Sequence, residues 1–310
     1  MDKGGRATII FAKHRSITSG AFTVQRVGAI LGPHPLIVTG AGGKLGRILQ
    51  AGWALGRNLV DGSRASPLWI ARKGRGDVFW DMGAQALPDS LCKILPKGAV
   101  VLHLAGVTQG DEAQLQANID LLGPLLELCA RSQARRLIFL STAAVYSSGS
   151  LRAESAAVAP ASAYGRSKAQ AEALLRDRAT LALTLLRLGN LAGADALLGR
   201  PAPEKILLDQ VGGHAEGPLR SWIGARAFVQ AIQALCQMEL PSILNLAQEP
   251  PLRMGALLDA AGLDWQAGSQ MAAVPEATLD LSLLQSILPL PPASPGQIAA
   301  EAAWARQVLA

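Results

Sequence analysis

Long uncharged apolar runs are missing from this 310-residue chain, although 50% of its residues are hydrophobic and only 17% are charged. The strongest apolar stretches are short and broken by Gly, Pro or Arg, so none approaches the roughly 20 residues that a membrane-spanning helix needs. Cysteine is scarce: Cys92, Cys129 and Cys236 are widely spaced, odd in number and form no Cys-x-x-Cys pair. That usage predicts reduced core thiols in a cytoplasmic protein. Histidine is equally sparse. His14, His34, His103 and His214 stand alone, with no second ligand at i+3 or i+4, which argues against a metal site. The net charge of +6 comes from scattered basic residues with which the few aromatics do not interleave, so nucleic acid is not an expected partner.

Part of that basic excess lies in residues 1–34, where Lys3, Arg6, Lys13, Arg15 and Arg26 face a single acid, Asp2. With no continuous apolar h-region and no small-residue cleavage site, the segment does not read as a secretory signal. It reads instead as a disordered extension, or as sequence from an upstream start codon that is not the natural one.

From Pro35 onward, short β-branched or Leu-rich runs alternate with longer Ala/Leu/Gln-rich stretches of helical character. Such alternation predicts an α/β fold with a doubly wound parallel sheet. Strands are expected near Leu36–Thr39, Leu68–Arg72, Val78–Trp80, Val100–Leu104, Leu137–Ser141, Leu183–Arg187 and Ile243–Leu246. Most of these runs lack a polar alternation, as when helices cover both faces of a sheet. The length suits one large domain over residues 35–250 and a small lobe. The Gly/Pro-rich stretch Gly189–Pro218 and residues 251–310, which show no further clear strands, are expected to build that lobe over the carboxyl edge of the sheet, where ligands of open α/β sheets bind.

The run Leu36-Ile-Val-Thr-Gly-Ala-Gly-Gly-Lys-Leu-Gly46 is a buried strand, a glycine turn and the start of a helix. Gly40, Gly43 and Gly46 are spaced G-x-x-G-x-x-G, and Lys44 and Leu45 open the helix between them. Missing side chains let a pyrophosphate reach backbone N–H groups whose helix dipole favours negative charge. This predicts a Rossmann dinucleotide site. The second strand ends in Arg72-Lys73, with Arg75 behind; a cation there accommodates a 2′-phosphate, whereas an acid would bond the 2′-hydroxyl. NADP is the expected cofactor, with NAD the other possibility.

Tyr164-Gly-Arg-Ser-Lys168 opens an Ala/Leu-rich helix, and the i, i+4 spacing puts phenol and ammonium on one face. A free tyrosine titrates near ~10. A neighbouring cation stabilises the phenolate and brings it toward the working range, so the pair suits proton exchange with a carbonyl or alcohol oxygen while hydride moves on the adjacent carbon. The strand Leu137–Ser141 carries hydroxyls at its carboxyl end, Ser141 and Thr142, which can hold the same oxygen.

Together these motifs resemble the extended short-chain dehydrogenase/reductases, the NAD-dependent epimerase/dehydratase family, over nearly the whole chain from Pro35. Thr39–Gly46 is similar to the family's T-G-x-x-G-x-x-G, and Leu102-His-Leu-Ala-Gly106 to its H-x-A-[AG], which would place Leu104, Ala105 and Gly106 along the cofactor. The resemblance implies that Asn118 supports the active-site helix, that Asp81, followed by Met82, bonds the adenine amino group, and that Thr142 in Ser141-Thr-Ala-Ala-Val-Tyr146 donates to the substrate oxygen. It also implies that Asn190, in Arg187-Leu-Gly-Asn-Leu-Ala-Gly193, touches substrate or cofactor, and that Arg220, in Arg220-Ser-Trp-Ile, meets a substrate phosphate. Family members often form homodimers through two helices, for which Asp111–Arg131 and Tyr164–Arg178 are the candidates.

Two departures narrow the chemistry. Dehydratases of the family carry an Asp-Glu pair after the threonine, where this chain has Ala143 and Ala144, so elimination is not expected. Gly224-Ala-Arg226 replaces the usual His-Val-Asp after the arginine motif, and the lobe is short. The primary expectation is an NADP-dependent reductase or dehydrogenase of a sugar, nucleotide-sugar or related small carbonyl compound. A nucleotide-sugar 4-epimerase with tightly held NAD is the second reading, and a redox-inert dinucleotide-binding or assembly protein the third.

Overall fold

Leu36–Thr39 offers no polar face, so the strand it forms, β1, has to lie where helices cover the sheet on both sides, and all four residues are buried. The computed structural model of the chain describes residues 34–57, 66–200 and 205–310; apart from His34, the expected N-terminal extension lies outside the described residues. After β1 come α1 (Lys44–Arg57), β2 (Leu68–Ala71), β3 (Val78–Phe79), α2 (Asp89–Ile94), β4 (Val100–His103), α3 (Glu112–Leu115), α4 (Ala117–Asp120), α5 (Leu122–Arg131), β5 (Arg136–Thr142), β6 (Gly149–Arg152), α6 (Ala163–Arg178), β7 (Ala182–Leu188) and β8 (Asn190–Leu191). The chain continues through β9 (Ile206–Gln210), β10 (Leu219–Ile223), α7 (Ala225–Leu235), β11 (Ile243–Leu246), β12 (Gln248–Arg253), α8 (Met254–Ala260), β13 (Trp265–Met271), β14 (Glu276–Leu279), α9 (Ser282–Ile287) and α10 (Pro295–Leu309).

Seven strands form one parallel sheet in the order β11-β7-β5-β4-β1-β2-β3. The order reverses at β1, with β2 on one side and β4 on the other, and a crevice opens at their carboxyl ends. Two apolar layers hold the sheet. Ile48, Leu49 and Trp53 of α1 pack with Phe228, Ile232 and Leu235 of α7 on one face; Leu91, Leu125, Leu128, Ala171 and Leu175, from α2, α5 and α6, fill the other. A third cluster, including Leu198, Leu208, Trp222, Leu257 and Ile298, forms the core of the lobe.

The seven expected strands of the main sheet are all present, with ends within a residue of expectation. The chain beyond residue 250 differs from its expected strand-free character: it completes β12 and adds β13 and β14. Two prolines, Pro250 and Pro251, disguise β12 in the sequence; the sheet tolerates them because β12 is an edge strand, in the order β12-β10-β14-β6. β13 pairs in parallel with β9 and is mostly exposed, so it carries little apolar signal. The expected helix Asp111–Arg131 is three short ones, turning at Gln116 and Leu121. Pro124 has no N–H for the carbonyl of Asp120, which ends any straight continuation into α5. Finally, α10 packs on α8 in the lobe and also against α1 and α7, and the Arg47 guanidinium of α1 donates to the Val308 carbonyl at 2.9 Å.

Candidate active site

The crevice at the sheet reversal is a cavity of about 460 Å³, within the range of small-molecule and cofactor sites. Gly40 leaves β1 at φ +78°, and a Cβ there would meet the backbone of Leu104 (2.7 Å) and Ala105. Only a glycine lets the turn after β1 press against the segment after β4. Gly46 stands as close to the backbone of Ala41, and Gly42 to the carbonyl of Lys73. The helical ladder of α1 begins with Arg47 N–H donating to Gly43 O at 2.9 Å, which leaves the N–H groups of Lys44, Leu45 and Gly46 as the unsatisfied donors of a helix start. Gly40, Gly43, Lys44, Leu45, Gly46, Leu104, Ala105 and Gly106 all line the cavity.

Thr142, Tyr164 and Lys168 reach the same cavity from two elements. Thr142 ends β5, and its hydroxyl accepts from the Ala144 N–H at 3.2 Å, turning the chain away from the sheet. Ser162 caps α6 by accepting from Gly165 N–H at 3.0 Å, so Tyr164 and Lys168 occupy the first turns of a well-started helix. Gly165 permits the approach of α6 to the Ala144 carbonyl. Burial pushes the Tyr164 phenol up from its ordinary range, and a hydrogen bond with Thr142 pulls it back. Lys168 is 5% exposed, its amine 4.0 Å from the centre of the Phe139 ring. Burial brings that amine down to about 7, against the opposing pull of Glu172. Phe139 in turn stacks on His103 at 5.5 Å. His103 shares a 2.8 Å hydrogen bond with Thr39 and is held down to about 3 by burial and then by Lys168, so it is neutral here.

Asn118 also borders the cavity, but protein partners occupy its side chain. Its amide oxygen accepts from Val107 N–H at 2.9 Å, and its NH₂ donates to Val107 O at 2.9 Å and to the Ser167 hydroxyl at 3.0 Å. Asn118 thus ties the segment after β4 to α6. Asn190 lines the cavity from β8. Arg72, exposed just past β2, Asp81 and the buried Met82 do not line it. Asp81 accepts from Gly83 N–H at 3.2 Å.

Arg220, expected to meet a substrate phosphate, has its guanidinium bonded to the protein. Its guanidinium is spent inside the lobe, donating to the carbonyls of Leu219 (2.8 Å), Val274 (2.6 Å) and Pro275 (3.4 Å), and it does not border the cavity. Replacing Arg220 with Ala is expected to lower the melting temperature by a few degrees, through roughly 1–3 kcal/mol of lost charge-assisted bonds, while KM for any substrate changes less than about threefold. Parallel thermal melts and steady-state kinetics check this.

A buried polar cluster joins Ser141 and Arg187, both from sequence motifs, to Glu172, which no motif singled out. The fully buried Glu172 of α6 accepts from Ser141 Oγ at 2.5 Å and from Arg187 Nε and Nη2 at 3.1 and 2.7 Å. Its one visible signal is periodicity, since Tyr164, Lys168 and Glu172 recur at i, i+4 and i+8 on one helix face. Among the described residues no group of three or more His, Cys, Asp or Glu could hold a metal, and no helix is long and apolar enough to cross a membrane. Burial pushes the thiols of Cys129 and Cys236 up to about 12, so both are inert.

A glycine turn at the reversal of a parallel sheet, facing a threonine, a tyrosine and a lysine, is the arrangement of an extended short-chain dehydrogenase/reductase. The chain belongs to the NAD dependent epimerase/dehydratase family, whose model matches residues 36–246. No curated protein matches the sequence. Among solved structures the fold is similar to MoeE5 in complex with UDP-glucuronic acid and NAD, at 20% identity and a TM-score of 0.70 over 88% of this chain and 99% of that one. It is also similar to TunA, an NAD-dependent NDP-hexosamine 5,6-dehydratase (18% identity, TM-score 0.70, 88% and 98% covered). The UDP-glucose 4-epimerase of Thermus thermophilus in complex with NAD is similar too, at 20% identity and a TM-score of 0.63 over 88% of this chain and 99% of that one.

Proposed function

We propose that the protein is an NADP-dependent reductase or dehydrogenase acting on a sugar, nucleotide-sugar or related carbonyl compound. The observation that carries this reading is the meeting of Thr142, Tyr164 and Lys168 in one cavity with the glycine turn. The cavity fits a dinucleotide: Gly40 and Gly46 let the turn close against Leu104, Ala105 and Ala41, and the free N–H groups of Lys44, Leu45 and Gly46 suit a pyrophosphate. Lys168 would hold the ribose end, and Leu104, Ala105 and Gly106 would flank the rest. When bound, the nicotinamide supplies a hydride donor or acceptor.

The chain's own residues do the proton work. Thr142 donates a hydrogen bond to the substrate oxygen and holds it beside the Tyr164 phenol. Tyr164 gives its proton to that oxygen in reduction, or takes it in oxidation, and the adjacent Lys168 cation favours the phenolate left behind. Ala143 and Ala144 provide no acid or base for elimination, so the chemistry stays at one carbon.

Arg72 supports NADP over NAD. The glycine turn sits directly on the backbone of the same basic loop, at Gly42 against Lys73, and Gln50 of α1 clamps the two by donating to Ala41 O at 2.9 Å and Arg75 O at 3.3 Å. The backbone next to Arg72 thus lies against the glycine turn, which supports a cation at that position meeting a 2′-phosphate. Arg72→Asp is expected to weaken NADPH at least tenfold relative to NADH, as about 1.4 kcal/mol or more of phosphate recognition is lost. Titration of both cofactors reads this out, and an unchanged preference would sink the assignment.

The likeness to NAD-containing 4-epimerases favours a second reading, in which a retained NAD oxidises and re-reduces one substrate carbon. Protein that carries NAD through exhaustive dialysis would put this reading first. NADPH oxidation by keto-sugars, nucleotide-keto-sugars or simple aldehydes would retain the first.

A further inference from the structure

We infer that Glu172, locked in place by Ser141 and Arg187, is the counter-charge that positions the Lys168 ammonium at the cavity floor. The catalytic role of Lys168 is taken from the reading above; the electrostatic role of Glu172 rests on its buried place one turn further along α6 and on the pull it exerts on the Lys168 amine.

Three observations converge. Glu172 lies one helical turn beyond Lys168 on the same face of α6, and its full burial keeps bulk solvent from screening its charge. Its carboxylate is held from three directions: the Ser141 hydroxyl at 2.5 Å from β5, the Arg187 guanidinium at 2.7 and 3.1 Å from β7, and Arg176 at 3.8 Å from the next turn of α6. A carboxylate so fixed cannot swing to meet Lys168, and its ion pairs are with the two arginines. It acts instead as a stationary negative charge that holds the amine over the Phe139 ring.

Glu172 is the acid that opposes burial at Lys168; Asp195, a carboxylate lining the cavity, accepts from the backbone N–H groups of Gly193, Leu197 and Leu198. His103 of β4 is neutral, Phe139 and Thr142 of β5 carry no charge, and Tyr164 on the same helix is a neutral phenol. Burial favours the uncharged amine, and Glu172 opposes it.

The same cluster reaches the lobe. Arg187 Nη1 donates to Tyr146 Oη at 2.8 Å and to Glu154 O at 3.3 Å; Tyr146 Oη donates to Asn245 Oδ1 at 2.9 Å; and Asn245 NH₂ donates to Arg152 O at 2.9 Å and to Asp280 O at 3.1 Å. Strand β6 and the turn before α9 are therefore tied through Asn245 and Tyr146 to the arginine that fixes the counter-charge.

The test is titration of the Lys168 amine by ¹⁵N-lysine NMR on the full chain without dinucleotide, with Lys168→Met identifying its signal. In Glu172→Gln the midpoint is expected to fall by about one pH unit or more. That variant strands the Arg187 charge, so a second, Glu172→Gln with Arg187→Met, removes both charges and keeps comparable volume, an exchange that buried ion pairs often tolerate. Its midpoint is expected to fall as well, by less. A midpoint unchanged within 0.2 pH units (~0.3 kcal/mol) in whichever variant melts cooperatively overturns the inference. Because no turnover is measured, a protein without reductase activity still gives a decisive midpoint, and the two readings fail separately.

Discussion

Replacing Tyr164 with Phe is expected to lower kcat by about 10²–10⁴-fold, the usual worth of a positioned general acid, and to leave dinucleotide affinity within a few-fold of wild type. The substitution is clean because little else depends on the phenol. The bond that Tyr164 contributes to the helix is made by its backbone carbonyl, which accepts from Ser167 Oγ at 2.9 Å whatever side chain is present. Asn118 grips Ser167, not the tyrosine, so the link between α6 and the segment after β4 stays intact. The side-chain partner lost is the Thr142 hydroxyl. Reduced-nicotinamide absorbance gives kcat, and calorimetric titration gives affinity. Wild-type turnover in the variant would show that another group carries the proton, whereas equal loss of affinity and turnover would make the phenol a cofactor contact. If no carbonyl substrate is turned over by either protein, the redox-inert reading stands.

Gly40→Ala is expected to destabilise the protein by about 2–5 kcal/mol, combining a left-handed backbone at ~1–2 kcal/mol with overpacking at ~1–3 kcal/mol. For a chain of this size that corresponds to a fall of about 4–10 °C in melting temperature, with dinucleotide affinity reduced at least about tenfold as the turn is forced off Leu104 and Ala105. Gly74→Ala separates the two contributions. Gly74 has φ +81°, close to the +78° of Gly40, but a Cβ there meets nothing within 4 Å. It should therefore cost only the backbone strain, about 1 kcal/mol, and leave affinity alone. Equal melting temperatures for the two variants would mean that close approach of the turn to the segment after β4 has no energetic weight.

The main sheet was legible because its strands are buried on both faces. A run such as Val100–His103 can then be almost wholly apolar, and it stands out between polar turns. The glycine turn and the Tyr164/Lys168 spacing were legible for a related reason: both are local, set within one turn and one helix. The lobe strands were not, since β12 contains two prolines at a sheet edge and β13 is exposed, and neither shows an apolar pattern. The surroundings of Arg220 were not legible, because a motif gives a side chain's position in the chain but not which carbonyls surround it after folding. The Glu172 cluster was hidden because Ser141, Glu172 and Arg187 come from three elements, with separations of 31 and 15 residues from the glutamate. In sequence a buried Glu beside Lys168 looks like any solvated helix acid.

The placement of α10 bears on how the molecule comes off the ribosome. Its Glu301 accepts from the N–H groups of Arg226 and Ala227 at 2.8 and 3.1 Å, satisfying the start of α7, while Val308 takes the Arg47 guanidinium across a separation of 261 residues. α1 leaves the ribosome well before α10. During elongation the side of the nascent dinucleotide-binding half that α10 will cover stays bare, with the donors at the α7 start unpaired. Such delayed, non-local closure slows folding and leaves apolar surface open to chance association.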